Sequence, residues 1–291
     1  GDVPIGVYLS GGIDSSIVAT VASKQLDNVK GFTGYFNNAG EYYDETKYVD
    51  LVAKKNNIEV YKIEITPEHF LKYFDSLIYS LDEPRMGMGA FSQYVVAKEA
   101  AKFRKVILAG HGGDELFAGY NMFKGFLLSD LALENSLNSL KSITNTNLKE
   151  IPWIGYFFGN KLFRKQLTFA PKIFKLKSIN KNHLNDFETK STVDGSKLLR
   201  NYYFNVYLPG LLNVEDKISM AHSLETRVPL CNYQLRKKLQ NIPLKFLMPH
   251  GRLKGLLKDL FRDDLPSELL NAPKRGFPTP LRLWFKNELF E

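Results

Sequence analysis

VYLSGGIDSS, residues 7–16, sets two glycines, an aspartate and three serines at the point where an apolar strand turns into a helix. The run before it, PIGVYL, is β-branched and aromatic, and SSIVATVASKQL after it repeats apolar residues at helical spacing, so SGGIDSS is a strand-to-helix loop. Such a loop suits an anion. Gly11 and Gly12 let backbone N–H groups approach a phosphate closely, the following helix offers the positive end of its dipole, and the hydroxyls of Ser10, Ser15 and Ser16 add donors. Asp14 is explained beside a polyphosphate only if Mg²⁺ lies between them, because Mg²⁺ is usually held by one or two carboxylates plus phosphate oxygens. The loop has no lysine and lacks the spacing of the P-loop that cradles β and γ phosphates.

Outward from this loop, strand-like runs at Ile5–Leu9, Lys30–Phe36, Ile58–Ile65 and Lys105–Ala109 alternate with helical segments near Ser15–Leu26, Asp44–Asn56, Pro67–Leu81 and Ala90–Phe103. The alternation predicts an α/β fold with a doubly wound parallel sheet, whose ligands bind beyond the carboxyl ends of the strands. From about Leu116 strand patterns fade, which predicts a core over residues 1–130 and a mostly helical extension over 131–291 that completes the site.

At 291 residues the chain can bury a large core, and no apolar run is long enough to span a bilayer. It opens directly on a strand without a secretory signal and carries a single cysteine, Cys231, which excludes internal disulfides; a cytoplasmic protein is expected. The formal charge of +8 is uneven: residues 1–130 hold 13 Lys+Arg against 17 Asp+Glu, and residues 131–291 hold 26 against 14, most densely over Lys161–Lys181. A basic stripe can bind RNA, but such a stripe is more often a solvated helical face. No zinc-finger spacing, RNP1-like string or helix-turn-helix signature accompanies it, so nucleic acid is not the expected partner.

The SGGxDSS loop resembles the pyrophosphate loop of ATP pyrophosphatases, which cleave ATP between the α and β phosphates and adenylate a substrate. Four further segments narrow the resemblance: LDEP at Leu81–Pro84, GHGGDELFAGY at Gly110–Tyr120, EDKISMAHSLETRVPL at Glu215–Leu230 and KRGFPTPL at Lys274–Leu281. In this order they resemble the synthetase domain of glutamine-dependent asparagine synthetases of the bacterial B type, with β-lactam synthetases and lasso-peptide cyclases as relatives. The resemblance covers essentially the whole chain, with an adenine nucleotide alpha hydrolase-like fold.

It implies that Ser10, Gly11, Gly12, Asp14, Ser15 and Ser16 hold the pyrophosphate end of ATP, that Asp14 and Asp114 reach Mg²⁺, and that main chain near Thr33–Tyr35 and Gly110 forms the adenine and ribose edge. Two carboxylates at adjacent strand ends facing one crevice would repel unless a divalent ion lay between them. Asp114 could also simply cap a helix. Lys254, in GRLKGLLK, matches the lysine that approaches the α-phosphate and acyl centre, where a cation stabilises developing anionic charge. Lys258 and Arg252 compete with it, and a lysine on an amphipathic helix is ordinarily exposed. Glu225 and Arg227 read as an ion pair near the site, and Lys274 and Arg275 as part of a closing loop.

Two positions depart from the pattern. His111 stands where asparagine synthetases usually carry a glutamate that handles protons during amination, and Asn232 stands where the motif usually has an aspartate. A neutral imidazole can accept a proton from attacking ammonia, so His111 is a candidate catalytic residue, and its difference from glutamate favours an acceptor other than free aspartate. A histidine merely closing the turn is the plainer alternative.

The implied function is ATP-dependent amidation of a carboxylate through an acyl-adenylate. L-Aspartate to L-asparagine is the leading reaction, and a peptide or saccharide carboxylate is the alternative. An RNA-modifying ATP pyrophosphatase and an inactive nucleotide-binding scaffold are the rivals from other classes. The family's N-terminal glutaminase domain, which supplies ammonia, is absent from these residues, so the chain reads as a piece of a longer protein, compatible with a homodimer.

Overall fold

The computed structural model describes residues 3–37, 39–83, 89–133, 195–274, 276, 279–287 and 289. The basic segment Lys161–Lys181, Pro84 of the LDEP segment and Arg275 lie outside these residues. The chain forms two compact units, each discontinuous in sequence: residues 1–113, 207–237 and 258–291 make the first, and residues 114–206 and 238–257 the second.

The first unit is built on a five-stranded sheet in the order β3-β2-β1-β4-β5, parallel throughout. Its strands are β1 (Ile5–Tyr8), β2 (Lys30–Tyr35), β3 (Glu59–Glu64), β4 (Val106–Leu108) and β5 (Glu225–Arg227). Helices α1 (Ile13–Gln25), α2 (Thr46–Asn56), α3 (Pro67–Leu81) and α4 (Ala90–Ala100) alternate with the first four strands as expected. Each boundary has a local cause. Helix α3 starts where Pro67 presets φ and the Thr66 hydroxyl accepts from His69 N at 3.3 Å, while His69 Nδ1 accepts from Thr66 N at 3.4 Å. It buries Phe70, Leu77 and Leu81, one stripe of its surface, whereas α4 is buried on most sides and packs Phe91, Tyr94, Val95 and Val96 into the main core.

Strand order reverses between β1 and β4. The chain winds outward through β2 and β3, then returns to lay β4 on the other side of β1, with Gly6 opposite Ile107. The crevice past the carboxyl ends of these two strands is the topological switch point where open α/β sheets bind ligands. Both glycine-rich turns, Ser10–Ser16 after β1 and Gly110–Gly113 after β4, leave the sheet there.

Strand β5 corrects the expectation that strands end before Leu116. Glu225 N donates to Lys105 O at 2.8 Å and Ala109 N to Arg227 O at 2.9 Å, adding Glu-Thr-Arg as an edge strand beside β4. Three residues with two exposed charges carry no apolar alternation, so the strand is specified by pairing rather than by pattern. A further helix, designated α8 (Leu208–Met220), precedes it and buries Leu208, Glu215, Ile218 and Ser219.

In the second unit, α5 (Gly113–Leu116, shared at its first residue with the first unit) and α6 (Met122–Leu133) follow the second glycine turn, and α7 (Gly195–Tyr202) comes after the undescribed stretch. Arg200 on α7 is buried and donates Nη2 to Leu239 O, the last carbonyl of the helix Tyr233–Leu239, and Nη1 to Ile242 O at 2.6 Å in the turn beyond it. Burial lowers its pKa to about 10, so it remains charged at neutral pH.

Candidate active site

The first glycine turn is held by its own serines. Ser10 N donates to Ser15 Oγ at 3.2 Å, the two hydroxyls lie 3.0 Å apart, and Ser15 Oγ donates to Gly12 O at 3.1 Å. Gly11 has φ +81°, and a Cβ there would sit 2.8 Å from Glu45 Cβ and Glu45 O, so glycine is required by conformation and by space. Gly12 caps α1, and Asp14 falls in the first turn, where the helix dipole favours a carboxylate or an anion. Ser16 is fully buried, and its hydroxyl has no hydrogen-bond partner among the described residues.

The second turn locks against the first. A Cβ on Gly110 would stand 2.6 Å from Ser15 N and 2.8 Å from Asp14 C. A Cβ on Gly113 would fall onto the Asp14 carboxylate, 2.7 Å from Oδ2 and nearer still to Cγ and Oδ1. Two bare Cα atoms therefore form the wall on which Asp14 rests, and Gly112, at φ +90°, turns the chain between them.

Between those glycines, His111 leans on a buried polar cluster. Its Nε2 lies 3.9 Å from Glu215 Oε2; the Glu215 side chain is 5% exposed and that of His111 30%. Glu215 Oε1 accepts from Thr226 Oγ1 at 2.9 Å and from Gln93 Nε2 at 3.5 Å. Burial pushes the Glu215 carboxyl above the usual carboxylate range, against the opposing pull of His111. Burial also raises the Tyr8 hydroxyl, and the nearby Glu215 charge adds to that shift. The main chain of His111 is tied by Cys231 Sγ, which donates to His111 O at 3.4 Å.

In the second unit, Lys254 Nζ meets Asp114 Oδ1 at 2.7 Å. Lys254 is only 8% exposed and has φ +54°, a conformation rare for a residue with a side chain. Its amide donates to Ala118 O at 3.4 Å, while Gly119 N donates to Asp114 O at 2.8 Å. A Cβ on Gly119 would lie 2.8 Å from Asp114 Cγ and closer to Lys254 Cε, so this glycine makes room for the pair. Tyr120 OH donates to the buried Glu115 and stacks on Tyr203 with ring centroids 4.6 Å apart. Of the three cations considered in this segment, Arg252 is exposed, Lys258 is half-buried and Lys254 is buried.

The remaining sequence-derived residues are placed as follows. Glu225 and Arg227 form an exposed pair, with Nε to Oε1 at 2.7 Å on one face of β5. Asn232 Oδ1 accepts from Gln234 N at 2.9 Å and Leu235 N at 3.1 Å at the start of the next helix, a capping role that an aspartate would fill equally. Thr33 is buried and Tyr35 half-buried at the end of β2, and Lys274 is exposed. Glu215, Gln93, Tyr8 and Thr226 were not singled out from sequence. The available signal was a glutamate three and four residues before Ile218 and Ser219, on the inward face of a helix.

Over residues 1–291 the sequence matches the asparagine synthase family. The chain belongs to that family. Similar proteins include asparagine synthetase (glutamine-hydrolysing) 1 of Bacillus subtilis, 30% identical over 100% of this chain and 48% of the relative. Asparagine synthetase (glutamine-hydrolysing) 3 of the same organism is 26% identical over 95% of this chain and 45% of its own length. The amidase chyE of Penicillium rubens is 23% identical over 97% and 50%. The chain thus spans about half the length of these curated relatives and corresponds to an asparagine synthase-like ligase domain. Among the described residues, no helix is long and apolar enough to cross a membrane.

Proposed function

We propose that this asparagine synthase-family domain amidates a carboxylate at the expense of ATP, through an acyl-adenylate, with L-aspartate as the leading acceptor. The observation that carries this reading is the interlocking of two glycine turns at the switch point, with Asp14 seated against the bare Cα of Gly113. The donor set suits Mg²⁺ with a polyphosphate. Among the described residues no group of three or more His, Cys, Asp and Glu could hold a metal unaided, whereas an ion carried by pyrophosphate needs only one or two carboxylates.

In this reading, Ser10, Gly11, Gly12, Ser15 and Ser16 belong to the loop that receives pyrophosphate, and Gly110 borders the nucleotide. Asp14 and Asp114 are the carboxylates for Mg²⁺, which when bound neutralises charge on the departing pyrophosphate. The substrate carboxylate attacks the α-phosphorus, and the phosphoanhydride bond to pyrophosphate breaks. Ammonia then attacks the acyl carbon, and AMP leaves with the electrons of the acyl–oxygen bond. Lys254 stabilises anionic charge on the phosphoryl oxygens and on the tetrahedral adduct. Its burial beside Asp114 supports this role, since an unemployed lysine would ordinarily stay in water. His111 accepts the proton shed by the attacking nitrogen. Ammonia from a glutaminase domain and a cytoplasmic setting complete the proposal.

A second reading keeps the chemistry and changes the acceptor to a peptide or saccharide carboxylate. His111 at the position of the expected glutamate favours it. The two readings separate in one assay: pyrophosphate release with ATP, Mg²⁺ and ammonium, with and without L-aspartate, beside an Asp14→Ala control. Aspartate-dependent release with matching AMP and asparagine is expected. ATP binding with no aspartate response transfers the function to another carboxylate, and neither binding nor release overturns both.

A further inference from the structure

We propose that the groove between α3 and α8 is the docking surface for a basic amphipathic helix of a partner protein.

The two helices belong to the first unit and leave their outer faces side by side around a cavity of about 840 Å³. Tyr79 of α3 and Met220 of α8 line it while 86% and 53% exposed. Leu71, also exposed, extends the same face of α3, since positions 71, 75 and 79 lie about one turn apart and together span ~12 Å at the rise of an α-helix. Both helices already have an inward face: α3 buries Phe70, Leu77 and Leu81, and α8 buries Leu208 and Ile218. The exposed residues therefore form a second apolar strip on helices whose first is used by the core. A concave strip of this kind fits the apolar face of another helix, whose anchors recur every three to four residues.

Charge decides which helix. The groove carries Asp75, Asp82 and Asp216 against a single lysine, Lys217. That lysine is already engaged, with Nζ 3.3 Å from Asp82 Oδ2 and donating to Leu81 O at 2.8 Å. Asp75 and Asp216 are exposed and form no ion pair with any described residue, so the rim keeps their negative charge. A second copy docked through the same face would set these carboxylates against their own images, and nucleic acid or an anionic lipid surface would be repelled. A helix with an apolar stripe flanked by Lys or Arg satisfies floor and rim together.

Two synthetic helices of ~18 residues, long enough to hold helical structure, serve as probes: one built of leucine and lysine, the other of leucine and glutamate with the same apolar stripe. Each is titrated by calorimetry into the full-length protein. The leucine–lysine helix is expected to bind and the leucine–glutamate helix not to. Asp75→Asn with Asp216→Asn should weaken binding roughly tenfold and flatten its dependence on salt. Tyr79→Ser with Met220→Ser should weaken it at least ~30-fold, as loss of central apolar anchors does. All four positions are exposed, so these variants should melt together with wild type. Equal binding of the two helices, or binding that neither pair of substitutions changes, overturns the proposal, because the attraction is then not that of the groove. No binding of either helix overturns it as well, since the groove is then closed to a separate partner in the full-length protein. A concentration-dependent dimer that Tyr79→Ser with Met220→Ser dissolves assigns the face to a second copy instead and refutes the basic partner.

Discussion

Replacing Gly113 with alanine adds one methyl group at the point where Asp14 rests, and the structure sets the size of the effect. The new Cβ would stand 2.7 Å from Asp14 Oδ2 and nearer to Cγ and Oδ1, where ordinary contact begins at 3.4 Å. The carboxylate must therefore retreat by about 1 Å, the scale of misplacement that can cost ~10²-fold in rate. The backbone itself does not object: Gly113 lies outside the positive-φ region and opens a helical turn. There alanine is preferred over glycine by up to ~1 kcal/mol, which offsets much of the ~1–3 kcal/mol of overpacking. Gly113→Ala is thus expected to melt within a few degrees of wild type while pyrophosphate release falls about 100-fold and the Mg²⁺ dependence of ATP binding weakens. Calorimetry and a coupled pyrophosphate assay read the two effects separately. Gly110→Ala is the comparison, because its Cβ would strike the main chain of Asp14 and Ser15, and its loss should appear in stability as well. Wild-type turnover in Gly113→Ala, with the fold intact, would refute the role given to Asp14.

Two other outcomes follow from the same geometry. Lys254→Met removes the cation 2.7 Å from Asp114 and should reduce adenylate formation by ~10²–10³-fold; turnover at the wild-type rate in this variant, measured by coupled pyrophosphate release, would sink the electrostatic role. For Glu215, burial raises the folded-state pKa above the unfolded value of about 4.5, so the favourable contribution of the protonated form is complete below that pH and is lost as pH rises through the folded value. The melting temperature of Glu215→Gln relative to wild type should therefore become more favourable as pH increases from about 4.5, and a flat or reversed difference across thermal melts would count against a buried carboxylate.

What could be read from sequence was local. Helix α3 ends at the expected residues because Thr66, Pro67 and an apolar stripe all act within a few positions of one another. The two glycine turns were legible because each follows a strand and opens a helix, whatever the remainder of the chain does. Strand β5 was not legible, since Glu-Thr-Arg becomes a strand only when Lys105 and Ala109 offer it partners. Glu215 was missed for a related reason. It lay within a quoted motif, but its meeting with His111 depends on how α4, α8 and β5 come together in the folded unit, and residue type carries no trace of that. Burial likewise distinguishes Lys254 from Arg252 and Lys258, a difference that spacing could not show.

The pairing of Val106 with Glu225 also bears on how this protein is made. During synthesis β1, β2, β3 and β4 leave the ribosome long before their last neighbour, so β4 waits with one edge open until β5 arrives. An exposed parallel edge of Val-Ile-Leu is sticky, and closing it requires a contact distant in sequence, the slowest kind to form. Chains truncated ahead of Glu225 should accordingly accumulate as aggregates rather than as a smaller folded core. The same late segment carries Glu215 on α8, so the nascent domain gains its sheet edge and the support beneath His111 only after that segment has emerged.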